Sequence, residues 1–248
     1  MAPEVALETL DKLGKNSLVL DPMAGSGTVL RDATELGHRA IGFDVDPLAV
    51  LMARVWTTQV SDNLVEDLGR EVVRTARALK SKNIILPWID KDEQNRRFVS
   101  YWFGEEQRDE LRRLALILNR LDLNEKETRR RKALDVLRVA FSRIIITKDR
   151  GASLARDVSH SRPHKVDEGS DFEVLPAFET SLGVVRQRLL DAPPPGRAVV
   201  RIGDARALSR VRKGSVDAVV TSPPYLNAVD YLRGHRLSSF FDLVWLLA

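Results

Sequence analysis

The sequence predicts an α/β protein built on a parallel sheet and interrupted by a mostly helical insertion. Three observations predict it. Short apolar runs at residues 18–20, 39–43, 198–202 and 216–220 each end at an acid, a glycine or a proline turn. The first two runs alternate with helical segments, which is the opening of a parallel sheet. Between residues 60 and 196 the strand pattern gives way to helical spacing, and it returns only after Pro193-Pro194-Pro195-Gly196.

Taken in order, Leu18-Val19-Leu20 reads as a buried strand running into Asp21-Pro22 and a glycine turn. Thr28 to Leu36 reads as a helix stopped by Gly37. Arg39 to Phe43 is a second strand ending at Asp44, and Pro47, suited to a first helical turn, starts a helix to about Thr57. In the insertion, helices are expected over Ser61–Lys80, Glu105–Leu121, Glu125–Phe141 and Phe178–Leu190. Ile144-Ile145-Ile146 closes the third of these or forms a strand, and the polar stretch Gly151–Ser170 is expected to be a loop. The last stretch, Tyr231–Ala248, reads as a helix with a very apolar end, Phe240 to Leu247.

Composition narrows the class. The 248 residues are 44% hydrophobic and 30% charged, which suits a globular chain of one large domain or one domain with an insertion. No run of about 18 apolar residues is present, so no membrane span is expected. The N-terminus lacks the basic start and apolar core of a signal peptide, and the default expectation is a cytoplasmic protein. Zero cysteines exclude disulfides, a cysteine nucleophile and thiolate zinc sites within the chain. The net charge of +4 is carried entirely by Arg143–Lys165, which holds six cationic residues against Asp149 and Asp157. His160 and His164 lie there too, but no supporting ligand cluster accompanies them and no metal is expected.

Two segments carry chemistry. In Asp21-Pro22-Met23-Ala24-Gly25-Ser26-Gly27-Thr28 the glycines let the backbone approach a ligand without Cβ clashes. The following helix N-terminus offers unpaired N–H groups and a positive dipole end. Asp44 falls at the carboxyl end of the second strand, where a carboxylate can accept two ribose hydroxyls; Asp46 is its rival. The third glycine of a dinucleotide fingerprint and the Gly-Lys-Ser/Thr of a P-loop are both absent, so a nucleoside ligand without phosphates fits better. Asp204, in Gly203-Asp204-Ala205, follows the third strand as an acceptor for an adenine amino group or as a helix N-cap.

The second segment is Thr221-Ser222-Pro223-Pro224-Tyr225. Two prolines fix φ and remove two donors, leaving a stiff segment that presents carbonyls. An exocyclic amine on a base is a poor nucleophile, because its lone pair is delocalised into the ring. Acceptors such as the Ser222 hydroxyl and the Pro223 carbonyl would favour a tetrahedral nitrogen with its lone pair free. Tyr225 offers a stacking face worth about 1–3 kcal/mol in nucleic-acid sites.

Together these segments resemble the amino-methyltransferases that modify exocyclic nitrogens in DNA. Val19 to Thr28 resembles their cofactor motif, Gly42-Phe43-Asp44 the ribose-binding acid, Gly203-Asp204-Ala205 the adenine-side acid, and Thr221 to Tyr225 the catalytic motif. The resemblance covers residues 18–59 and 197–230. It implies a Rossmann-like methyltransferase fold, S-adenosyl-L-methionine as cofactor and a DNA base flipped out of its stack as acceptor. Direct displacement on that cofactor makes catalysis mostly positioning. The Ser-Pro-Pro-Tyr form is more typical of N4-cytosine enzymes, and Asp/Asn-Pro-Pro-Tyr of N6-adenine enzymes.

Two departures follow. The implied domains are 1–59 with 197–248 as the cofactor-binding and catalytic part, and 60–196 as a long helical insertion that would serve target recognition. Lys148, Arg150, Arg156, Arg162 and Lys165 are its candidate nucleic-acid contacts. The family's sheet has about seven strands, three of them after the Pro-Pro-Tyr motif, whereas 23 residues follow Tyr225 here. The expectation is a sheet lacking its C-terminal strands, with apolar edge surface, completed by a second chain or by a missing C-terminal segment. RNA in place of DNA, and a non-catalytic relative that holds only cofactor or nucleic acid, remain open.

Overall fold

The computed structural model describes residues 3–80, 84–124, 127–145, 151–156, 164–165, 169–208 and 210–223. The final expected helix, Tyr231–Ala248, lies outside the described residues. The described residues form two compact units, residues 3–59 with 188–223, and residues within 60–187. No helix among the described residues is long and apolar enough to cross a membrane.

The first unit is α/β, with a Rossmann-like parallel sheet. Its elements are α1 (Pro3–Leu10), β1 (Leu18–Asp21), α2 (Thr28–Glu35), β2 (Arg39–Asp44), α3 (Pro47–Thr57), β5 (Ala198–Ile202) and β6 (Ala218–Val219). The sheet order is β5-β2-β1-β6, and every pairing is parallel. Chain order runs outward from β1 through β2 to β5, then crosses to the other side of β1 at β6. The strand order therefore reverses between β1 and β6, where open α/β sheets form their ligand crevice.

Local chemistry sets the element ends. Gly27, at φ +90°, precedes α2, and Gly37, at φ +84°, follows it. Asp46 caps α3 by accepting the Leu48 N–H at 2.9 Å, with Pro47 in the first turn. Leu10, Leu30, Ala33, Val50 and Ala53 from the three helices cluster with Val19, Ala40, Val200 and Val220. Strand register places these last four on one face of the sheet. The opposite face carries Leu20, Ile41, Phe43, Val199 and Val219, of which Val199 and Val219 are 46% and 60% exposed. Among the described residues β6 is an edge strand.

The second unit is mostly helical: α4 (Asp62–Ala78), α5 (Pro87–Asp90), α6 (Glu93–Trp102), α7 (Glu105–Asn124) and α8 (Thr128–Ser142). It also holds a short hairpin, β3 (Ala155–Arg156) with β4 (His164–Lys165), and most of α9 (Val174–Asp191). Leu68, Val72, Leu111, Leu114, Leu137, Phe141 and Phe178 are buried. Phe178 meets Phe141 edge-on at 6.5 Å, and Arg186 of α9 grips Asp62 of α4 through two bonds of 2.8 Å.

One expectation is corrected by the structure. The sequence predicts a polar loop over Gly151–Ser170, but Ala152, Ser153, Leu154 and Ala155 are buried. The Leu154 N–H bonds the Trp102 carbonyl at 2.8 Å, and residues 155–156 enter the hairpin. Of the two alternatives for the isoleucine run, Ile144 and Ile145 close α8 in a turn; the Ile145 N–H bonds back to the Ser142 carbonyl at 3.2 Å, and Ile146 lies outside the described residues.

Candidate active site at the carboxyl edge of the sheet

Four strand ends meet along one edge of the first unit. In sheet order they carry Gly203-Asp204 after β5, Asp44 on β2, the Asp21–Thr28 turn after β1, and Thr221-Ser222-Pro223 after β6. The sheet thus brings together segments that are 200 residues apart in the chain.

The glycine turn is fixed from both sides. The Ala24 N–H bonds the Phe43 carbonyl at 2.8 Å, and the Gly25 N–H bonds Asp44 Oδ2 at 2.8 Å. Gly25 has φ +52° with open space where a Cβ would stand, so its need for glycine is conformational and its surroundings leave room for a ligand. Gly27 differs: a Cβ there would lie 2.9 Å from Ala53 Cβ, so it serves the close approach of α2 to α3. Pro22 and Ala24 are buried, Met23 and Thr28 half-buried, and Ser26 exposed.

The two acids that compete for a ribose role are separated by their bonds. Asp46 is 7% exposed and occupied as the α3 cap. Asp44 is half-buried at the strand end and accepts one backbone N–H on each oxygen, from Gly25 and from Asp46 at 2.9 Å. Each oxygen keeps one acceptor position, as a diol-binding carboxylate requires.

Asp21 is 2% exposed. Its Oδ1 accepts the Met23 N–H at 3.1 Å and the Thr221 hydroxyl at 2.6 Å. Burial pushes its carboxyl above the ordinary range, and the bonds from Thr221 and Met23 pull partly back. The Thr221 bond ties the glycine turn to the Ser222-Pro223 segment across the strand reversal. Ser222 is half-buried and Pro223 exposed; Pro224 and Tyr225 lie outside the described residues.

Asp204 is bonded within its own turn. It caps no helix; it folds into a turn in which Oδ1 accepts the Arg206 N–H at 2.9 Å and Oδ2 meets the Arg206 guanidinium at 2.6 Å. That guanidinium holds the Asp204 carboxyl down at about 2. The Gly203 N–H, bonded to the Asp44 carbonyl at 2.9 Å, anchors this turn to β2.

Of the candidate nucleic-acid contacts, Lys148, Arg150 and Arg162 lie outside the described residues. Arg156 and Lys165 stand on the two strands of the hairpin, and Lys165 Nζ lies 5.2 Å from the centre of the exposed Tyr101 ring. Both belong to the second unit.

Sequence reasoning missed Arg31. It reads as one more polar residue on α2, yet it is 4% exposed. It bonds the Trp56 and Ala192 carbonyls at 2.9 Å and the Pro193 carbonyl at 3.3 Å, pairs with Glu35, and lies 4.7 Å from the Trp56 ring. It fastens the point where the chain returns to the sheet. No local signal announces a buried arginine whose partners are distant carbonyls.

The chain is similar to a type II methyltransferase. The relative is M.BsoBI of Geobacillus stearothermophilus, 24% identical over 243 residues that span 91% of this chain and 47% of the relative. The chain therefore spans about half the length of that relative. No family model matches the chain.

Proposed function

We propose that the chain carries the cofactor site and the base-amine site of an S-adenosyl-L-methionine-dependent DNA methyltransferase, acting on N4 of cytosine. The observation that carries this reading is the meeting of the glycine turn, Asp44 and the Ser222-Pro223 segment at the β1/β6 reversal. The similarity to a type II methyltransferase supports it.

The residues present fit the cofactor. Asp44 has acceptor positions left for two ribose hydroxyls, the Gly25 turn leaves space, and the buried Asp21 supplies negative charge for a cationic group. When bound, the cofactor supplies an electrophilic methyl on sulfur. The chain's own part is to orient the acceptor. The Ser222 hydroxyl and the Pro223 carbonyl would accept hydrogens from the base amine, turning its lone pair out of conjugation. Tyr225 would stack on the flipped base. The methylated nitrogen then loses its extra proton readily, so no strong base is needed beforehand. Asp204 would reach an adenine amino group only by sharing its carboxylate with Arg206.

In this reading residues 1–59 and 197–248 form the catalytic part, and 60–196 supply target recognition, with Lys148, Arg150, Arg156, Arg162 and Lys165 on DNA phosphates. A second chain would complete the sheet beyond β6. The setting would be restriction-modification.

The test is transfer of a tritiated methyl group to DNA and RNA, followed by nucleoside analysis. The expected product is N4-methylcytosine in DNA, and Pro224→Ala is expected to lose at least about 100-fold in rate while still binding cofactor. N6-methyladenine, or label in RNA alone, would replace the substrate assignment. Cofactor binding without transfer to any nucleic acid would leave a binding module and remove the enzyme reading.

A further inference from the structure

Among the described residues, the segment after β6 makes few attachments. Pro223 and Pro224 lack N–H groups, so no backbone donor pins it at those two positions. The last backbone bond from the sheet is that of the Val220 N–H to the Leu20 carbonyl, at 3.0 Å. Beyond it, among the described residues, Thr221, Ser222 and Pro223 make one hydrogen bond, from Thr221 Oγ1 to Asp21 Oδ1 at 2.6 Å. The same oxygen accepts the Met23 N–H at 3.1 Å. One buried carboxylate oxygen therefore holds both the cofactor-side turn and the acceptor-side segment. Water competes poorly for these bonds at a site 2% exposed.

We propose that the Thr221 hydroxyl is a positioning group: through Asp21 it sets the register of Ser222-Pro223 against the cofactor turn. The inference rests on the methyl-transfer reading above and goes beyond it by naming what aligns the two halves. Thr221 touches neither substrate nor cofactor in this role. Its loss should slow transfer without weakening cofactor binding, because Asp44 and the glycine turn keep their own bonds.

The test compares the full chain with Thr221→Val, which keeps the shape and removes the hydroxyl, and with Thr221→Ser, which keeps the hydroxyl. Cofactor dissociation constants, melting temperatures and single-turnover methyl transfer at saturating cofactor and DNA are measured for each. The expected result for Thr221→Val is cofactor affinity within about twofold of wild type and a transfer rate about 10–100-fold lower. Thr221→Ser should return to within about threefold of wild type. Transfer by Thr221→Val at the wild-type rate overturns the positioning role and leaves the methyl-transfer reading standing. A rate loss that Thr221→Ser fails to repair, or that follows a matching loss of cofactor affinity, also overturns it. A wild-type chain that binds cofactor and methylates nothing removes the reading beneath it and the inference together.

Discussion

Both hydrogen bonds that Asp21 accepts fall on one oxygen, and the carboxylate is 2% exposed. Burial is the largest influence on its ionisation and raises its pKa; the neighbouring charge of Asp44 acts in the same direction, while Thr221 and Met23 oppose it. A raised folded pKa means that the native chain holds this proton more tightly than the unfolded chain. The stabilising contribution is full below the ordinary value of 3.8 and is lost as pH rises through the folded pKa. Above its folded pKa the buried charge of Asp21 therefore costs stability. An asparagine side chain in its place would keep an oxygen for both donors and remove the buried charge. Asp21→Asn is expected to raise the melting temperature at pH values above the folded pKa of Asp21. The gain should shrink as pH falls toward the carboxylate range. Cofactor affinity should drop by at least about tenfold, since the retained charge faces a cationic ligand in the proposed reading. Melting curves against pH with a cofactor titration check both; an unchanged melting temperature with full affinity would show that the charge serves neither role.

The return of the chain to the sheet depends on α2 as an element. Arg31 projects from it to carbonyls of α3's last turn and of the segment before β5, so one side chain joins three stretches of chain. Arg31→Met keeps apolar bulk and leaves those carbonyls without their donor. A stability loss of about 3 kcal/mol is expected in denaturant unfolding, because buried acceptors lose charge-assisted bonds; a loss under about 1 kcal/mol would mean that water replaces the arginine. Such a contact is illegible in sequence, whereas β1 and β2 were legible because each apolar run ends in its own turn signal. Helix α6 was missed for a physical reason: only Val99 among its ten residues is buried, so no apolar stripe marks it. The hairpin was missed because its strands have two residues each, and the residue leading into it, Leu154, is anchored by a distant bond to Trp102. At the site, the glycine turn and Asp44 could be read locally. The Thr221–Asp21 bond could not, because its partners come together only through the pairing of β1 with β6.

At the scale of the whole molecule the charge distribution carries a prediction of its own. The net charge of +4 resides in Arg143–Lys165, and the described part of that stretch includes a hairpin in the second unit. A protein that neutralises DNA phosphates releases counterions, and the logarithm of its affinity falls with the logarithm of salt by about 0.9 per phosphate. If Lys148, Arg150, Arg156, Arg162 and Lys165 each meet one phosphate, the slope should be about −4.5. Raising salt from about 50 to about 200 mM should then weaken binding roughly 500-fold. Target and non-target duplexes should lose alike, because phosphate contacts carry no sequence information. The Lys165 ammonium already lies over the Tyr101 ring and would have to give up that contact to reach DNA, so Lys165→Gln should change the slope less than Arg156→Gln. Fluorescence anisotropy across a salt series reads both effects. A slope near about −1 for wild type, unmoved by replacing all five cations, would mean that the basic stretch is a solvated surface and that DNA is held elsewhere.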